Sequence, residues 1–316
     1  MTAKGYSLVN SNSPVLNLIP VANMTAEQLR NATDKIRAKA ESGDADAQYQ
    51  LGSCYCIGDL GVTTNYTEAI KWYQKAADQN YPNIQRHLAA AYARRAVQEQ
   101  SENDLDGALA DLNKASEVKP DCTEIYIFRA YVKQCQGDLD GALVDYKKAR
   151  ELNPSGLLYA MGGLLNYNLH RFTDSLVDSR KACELNVDAK IQDYSRCYIW
   201  LVRARLGEQP AATKELQAYL DNRKSGTASD WAPNIARLLV GQLTEPNFFI
   251  AAENLDQQIK KKQYCEAYFF AGSKRLIEGD KTTATDYFKK SMATECKDID
   301  EYNSAAAELK FLEKSN

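Results

Sequence analysis

Ala108-Leu109-Ala110-Asp111-Leu112-Asn113-Lys114-Ala115 and Ala142-Leu143-Val144-Asp145-Tyr146-Lys147-Lys148-Ala149 share one frame: a small residue, a large one four positions on, and alanine three after that. Ala69-Ile70-Lys71-Trp72-Tyr73-Gln74-Lys75-Ala76 has the same frame, and Ser175-Leu176-Val177-Asp178-Ser179-Arg180-Lys181-Ala182 keeps it with serine at the first and fifth places. Ala212, Leu216 and Tyr219 keep the first two steps, and Ala284, Phe288 and Ser291 keep all but the last alanine. The frames begin at 69, 108, 142, 175 and 212, at intervals of 39, 34, 33 and 37 residues, and the next follows 72 residues later, close to two periods. Small residues at helical spacing let a second helix approach closely, while the large residue fills the seam between them. The repeat therefore predicts stacked helix pairs.

The turns agree with this frame. Gly137-Asp138, Gly207-Glu208 and Gly279-Asp280 each put glycine at a helix end and an acid at the next helix start. Pro120 and Pro154 fall just after second helices, where proline cannot prolong a helix. A period near 34 with these turns resembles the tetratricopeptide repeat. Residues 45–80, with Ala47-Gln48, Leu51-Gly52, Tyr55, Gly58, Gly61-Val62, Trp72-Tyr73 and Ala76-Ala77, resemble a Sel-one-like repeat, a longer relative of that unit. Residues 89–122, 123–155 and 156–188 then resemble ordinary tetratricopeptide units. The expected fold is all-α: an α-solenoid, a right-handed superhelix of helix-turn-helix tetratricopeptide and Sel-one-like repeats with terminal capping helices. Arg129 and Lys133 stand where the family carries apolar or aromatic residues, which predicts loose seams there.

The expected organisation is an extended segment over 1–22, a cap helix over 23–43, the repeats over 44–224, an irregular helix pair over 225–262, and a last unit with a capping helix over 263–316. Thr25-Ala26-Glu27-Gln28 forms a capping box that opens a helix to about Glu41. Ala305, Ala306, Leu309 and Leu312 mark the inward face of a closing helix over 299–314.

Composition bears on function mainly by what it disfavours. A net charge of -3 argues against nucleic acid as the main partner, since phosphates call for a concentrated basic face. No stretch approaches the roughly 20 apolar residues that span a bilayer. Eight cysteines occur without a C-x-x-C pair, and His87 and His170 are the two histidines, so neither a metal site nor a cofactor is expected. The cysteines read as small buried helix residues in a reducing compartment. His170 occupies a turn where other repeats carry glycine, and reads as a surface residue. No phosphate loop, G-x-G-x-x-G or H-E-x-x-H is present, and no catalytic residue is expected.

Residues 229–310 resemble the C-terminal part of the NlpI-type bacterial tetratricopeptide lipoproteins. The likeness rests on Trp231, Tyr264-Cys265-Glu266-Ala267-Tyr268-Phe269-Phe270-Ala271-Gly272, Glu278-Gly279-Asp280, Ala284, Phe288 and Glu301-Tyr302, in that order. It implies a non-catalytic scaffold that forms a homodimer and brings a protease or hydrolase to its target. A cytoplasmic location is expected from the sequence as it stands, and a bacterial envelope location if an export or lipoprotein signal precedes it. The alternative reading is a regulatory segment of a larger signalling or enzymatic protein.

The expected partner is a protein or peptide in the concave groove lined by the first helix of each pair. On this frame the groove carries Val97, Glu124, Ile127, Tyr131, Leu157, Leu164, Tyr167, Tyr194 and Leu201. That row is mostly apolar and aromatic, which suits a peptide with apolar anchors and lacks a basic clamp for a terminal carboxylate. A second occupant is internal: Ser13 to Val21, an apolar stretch held between Pro14 and Pro20, could lie in the protein's own groove.

Overall fold

The computed structural model describes residues 25–185, 188–223 and 231–314, and these divide into two compact units between Leu152 and Asn153. The boundary falls inside the array expected over 44–224. The extended segment over 1–22, with its internal strand at 13–21, lies outside the described residues.

The N-terminal unit opens with α1 (Ala26–Glu41), followed by the pairs α2 (Ala45–Ile57) and α3 (Tyr66–Asp78), α4 (Ile84–Ser101) and α5 (Leu105–Val118), and α6 (Thr123–Cys135) and α7 (Leu139–Leu152). Each helix packs on the one before it, so the pairs stack in sequence order. The C-terminal unit holds the pairs α8 (Gly156–Asn168) and α9 (Phe172–Glu184), and α10 (Ala189–Arg205) and α11 (Gln209–Asn222). Two short helices follow, α12 (Ala232–Leu239) and α13 (Glu245–Ala251), then the pair α14 (Gln257–Ile277) and α15 (Lys281–Ala293), and finally α16 (Asp300–Lys314). No strand occurs among the described residues. The fold is an all-α helical repeat.

Local chemistry sets the helix limits. Thr25 and Gln28 make the reciprocal capping box that opens α1. Asp44, Asn65, Asp104 and Asp280 each accept a hydrogen bond from the backbone N–H three residues on, which satisfies a helix-start donor that would otherwise be unpaired. Gly137 and Gly279 adopt φ of 81° and 89°, a left-handed conformation that costs glycine little.

The small-residue frame is the core. Ala69, Ala108, Ala142, Ser175, Ala284 and, at 2%, Ala212 are inaccessible to solvent, and the large partners Leu112, Tyr146, Leu216 and Phe288 are buried with them. First helices also carry a close-approach residue: a Cβ built on Gly272 would stand 2.9 Å from the Phe288 ring. Between α11 and α14 the chain leaves the frame, and Trp231 stacks on Phe248 with ring centroids 5.0 Å apart.

The loose seams expected at Arg129 and Lys133 do not occur. Both cations reach across to α7 and bind Asp145, which is 1% exposed, at 2.6 and 2.8 Å. A buried carboxylate satisfied by two cations fills the space that an aromatic would otherwise take. The cysteines also differ from one another: five are buried, Cys122 and Cys183 are half-buried, and Cys135 is exposed.

Candidate functional site

In the N-terminal unit the predicted groove residues lie on the first helices α4 and α6. Val97 and Tyr131, one period apart, are 44% and 48% exposed. Glu124 is exposed and Ile127 half-buried on the same α6. Large apolar side chains left in water on equivalent positions of neighbouring helices form a surface with apolar anchors available to a partner.

The C-terminal unit differs. Leu157, Leu164 and Tyr194 are half-buried, but Tyr167 and Leu201 are 1% and 0% exposed and belong to the core. Those two are not groove residues. For Tyr167 the physical reason is α16, which lies across the first helices α8, α10 and α14 on the face where a partner was expected. The same repeat position therefore passes from exposed Val97 and Tyr131 through half-buried Leu164 to buried Leu201.

Three polar side chains hold α16 in place. Glu301 Oε1 accepts from the Tyr198 hydroxyl at 3.4 Å. Ser304 Oγ donates to Asn168 Oδ1 at 2.7 Å. Glu308 accepts from the Tyr167 hydroxyl at 2.7 Å, lies 3.3 Å from His170 Nε2 and is gripped by Arg205. Glu301, Ser304 and Glu308 are all buried, so the inward face of α16 carries polar groups beside the apolar ones expected. Ala305 and Leu312 face inward and the half-buried Leu309 packs against the same core, while Ala306 is half-exposed. His170, read as a surface turn residue, does occupy the turn with φ of 57°, yet its ring stacks on Phe311 at 4.1 Å and faces Glu308.

Burial alone would push the Glu308 carboxyl up; His170, Arg205 and Tyr167 outweigh it and hold it below the ordinary glutamate range. The Glu301 carboxyl moves the other way. Burial and the nearby Glu266 carboxylate raise it well above that range. Glu266 is also raised by burial, although the Tyr194 hydroxyl and the Trp231 indole both donate to its Oε2.

A sequence search for apolar periodicity could not find these acids, since it assigns Glu to solvent. The one available signal is spacing: 301, 304 and 308 fall on one helical face.

A cleft of about 530 Å³ lies between Leu243, Thr244 and Glu245 and the end of α14. Its cations are engaged by its own acids, Arg275 by Glu245 at 2.6 Å and Lys274 by Glu278. No cluster of His, Cys, Asp and Glu among the described residues could hold a metal ion, and no described helix is long and apolar enough to cross a membrane.

Residues 45–81 match the Sel1 repeat family. A component of an ERAD-associated E3 ubiquitin-protein ligase, HRD3A from Arabidopsis thaliana, is 30% identical over 106 residues; the match takes in 30% of this chain and 16% of that protein's length. Among solved structures, a tetratricopeptide repeat protein from Parabacteroides merdae is similar over 88% of this chain and 98% of its own, at 15% identity and a TM-score of 0.45. YrrB, described as a tetratricopeptide protein with an unusual peptide-binding site, is similar over 73% of this chain and 96% of its own, at 18% identity and a TM-score of 0.41.

Proposed function

We propose that this helical-repeat protein is a non-catalytic scaffold that binds a protein or peptide partner on the first-helix face of its N-terminal unit. The observation that carries the reading is the exposure of Val97 and Tyr131 at one repeat position, while the corresponding Leu201 is buried. An isolated exposed apolar residue is ordinary, but two on adjacent first helices, with Ile127 beside them, give the spaced anchors that an extended or helical peptide uses. Their neighbour Glu124 adds a negative rim, which favours a peptide with a cation next to its apolar anchors. Recruitment of a protease or hydrolase, a homodimer and an envelope location are what the likeness of residues 229–310 to the NlpI-type lipoproteins adds to this reading.

The test is affinity capture with the intact chain and with the double variant Val97→Ala/Tyr131→Ala, followed by mass spectrometric identification. A partner recovered by the intact chain and lost with the variant supports the reading. Equal recovery of every partner counts against it.

A further inference from the structure

The underside of α16 has an unusual composition for a docked helix. Its buried contacts are two glutamates and a serine at i, i+3 and i+7, with Ala305 and Leu312 as the buried apolar residues. The receiving face matches this pattern point by point. Tyr198 on α10 meets Glu301, Asn168 at the end of α8 meets Ser304, and Tyr167, His170 and Arg205 converge on Glu308. A buried ion pair contributes little net stability because desolvation offsets most of its attraction, so such contacts select a partner more than they fasten it. Ala305 and Leu312 join the apolar core and Leu309 packs against it, so these polar contacts act beside an apolar seat. Six residues join α15 to α16, and so short a linker adds to these contacts a local concentration in the millimolar range.

We propose that the face of α8, α10 and α14 is a docking site for an acidic amphipathic helix of a partner protein with the pattern Glu-x-x-Ser-x-x-x-Glu, and that α16 is its built-in competitor. The cationic and hydroxyl donors of this face select the partner, and release of α16 opens it. This second site goes beyond the N-terminal face and does not depend on it.

The probe is a fluorescein-labelled peptide of residues 299–316, followed by anisotropy. Glu308→Lys in the chain sets a cation against Arg205 and His170 and undocks α16 while every receiving residue stays native. That variant should bind the peptide about tenfold or more tightly than the unaltered chain, because the tethered competitor is gone. A peptide carrying Glu308→Ala should bind it at least about tenfold more weakly, the scale for losing a charged hydrogen-bonding partner. Equal affinity for the two peptides, or for the two chains, overturns the proposal. Dimerisation of the unaltered chain by exchange of α16 between copies also overturns it, by giving the site to a second copy. Hydrogen exchange on the unaltered chain supplies a check that needs no variant: α16 amides should open before those of α14 and α15, and exchange only on global unfolding defeats the idea. Val97→Ala/Tyr131→Ala should leave peptide affinity unchanged, which separates this site from the N-terminal one.

Discussion

Arg129 holds Asp145 across the seam between α6 and α7, its Nε 3.0 Å and its Nη2 2.6 Å from the carboxylate. One period earlier Arg95 holds Asp111 in the same way, at 2.6 and 2.7 Å. Asp178 and Glu215 continue the row with Asn166 and Arg203. In the four frames that begin at 108, 142, 175 and 212, an acid three residues after the small residue is therefore part of the helix-pair seam, whereas the frames at 69 and 284 carry Trp72 and Tyr287 there.

Asp145→Ala should be among the most damaging single changes in the N-terminal unit. It strands Arg129 and Lys133, each 17% exposed, and breaking a buried pair in this manner costs roughly 3–5 kcal/mol. Asp111→Ala strands Arg95, which is 25% exposed and keeps a contact with Glu99, and should cost less. Urea unfolding of the two variants checks the order. Equal midpoints would mean that these pairs do not set the seam.

Opening the small-residue frame should be as specific. Ala142→Leu inserts bulk where no solvent reaches, and overpacking of this kind costs typically about 1–3 kcal/mol. Val144→Leu, two residues on and 66% exposed, should stay within about 0.5 kcal/mol. Thermal unfolding of the pair separates seam from surface.

The two buried acids of α16, Glu301 and Glu308, respond to pH in opposite senses. Glu308 is held below its ordinary value, so its contribution is present above roughly pH 4.3 and is lost as pH falls through the depressed value. Glu301 is raised, so its contribution is complete below that ordinary value and is lost as pH rises through the raised one. Docking of α16 should peak between these limits. Glu301→Gln, which keeps the neutral shape, should reduce the alkaline loss to the part that the raised Glu266 contributes and leave the acid side unchanged. Hydrogen exchange of α16 against pH reads both limbs.

Thiol reactivity should divide the cysteines by burial. Cys135 is exposed, whereas Cys197 and Cys265 are fully enclosed and burial raises both thiols, Cys265 to about 11. Pulse alkylation with peptide mapping should label Cys135 first, and Cys197 and Cys265 only on unfolding. Early labelling of Cys197 would show that the C-terminal core opens far more readily than its packing implies.

The helix pairs were legible because close packing leaves a mark on composition: Ala108, Ala142 and Ala284 can be only small, and they recur at the repeat length. Turn glycines and caps were legible for the same kind of reason. What escaped was polar and long-range. Hydropathy assigns Asp145 and Glu308 to water, and only the cations brought to them by folding, Arg129 or Arg205, reverse that assignment. The candidate face was half legible. Val97 and Tyr131 stand open as their positions imply, but a period cannot say that α16, 141 residues along the chain from Tyr167, will cover its later members.

The acid row has a consequence for how such a chain can change in length. Arg95 and Asp111, like Arg129 and Asp145, belong to one helix pair, and Arg129 takes only the neutral groups of Asn113 and Ser116 from the pair before it. Asp111 and Asp145 thus each take their cations from within their own helix pair. Duplicating or excising either whole pair would therefore leave neither of these buried carboxylates without its cation, so length can change at these two steps without first redesigning their charges.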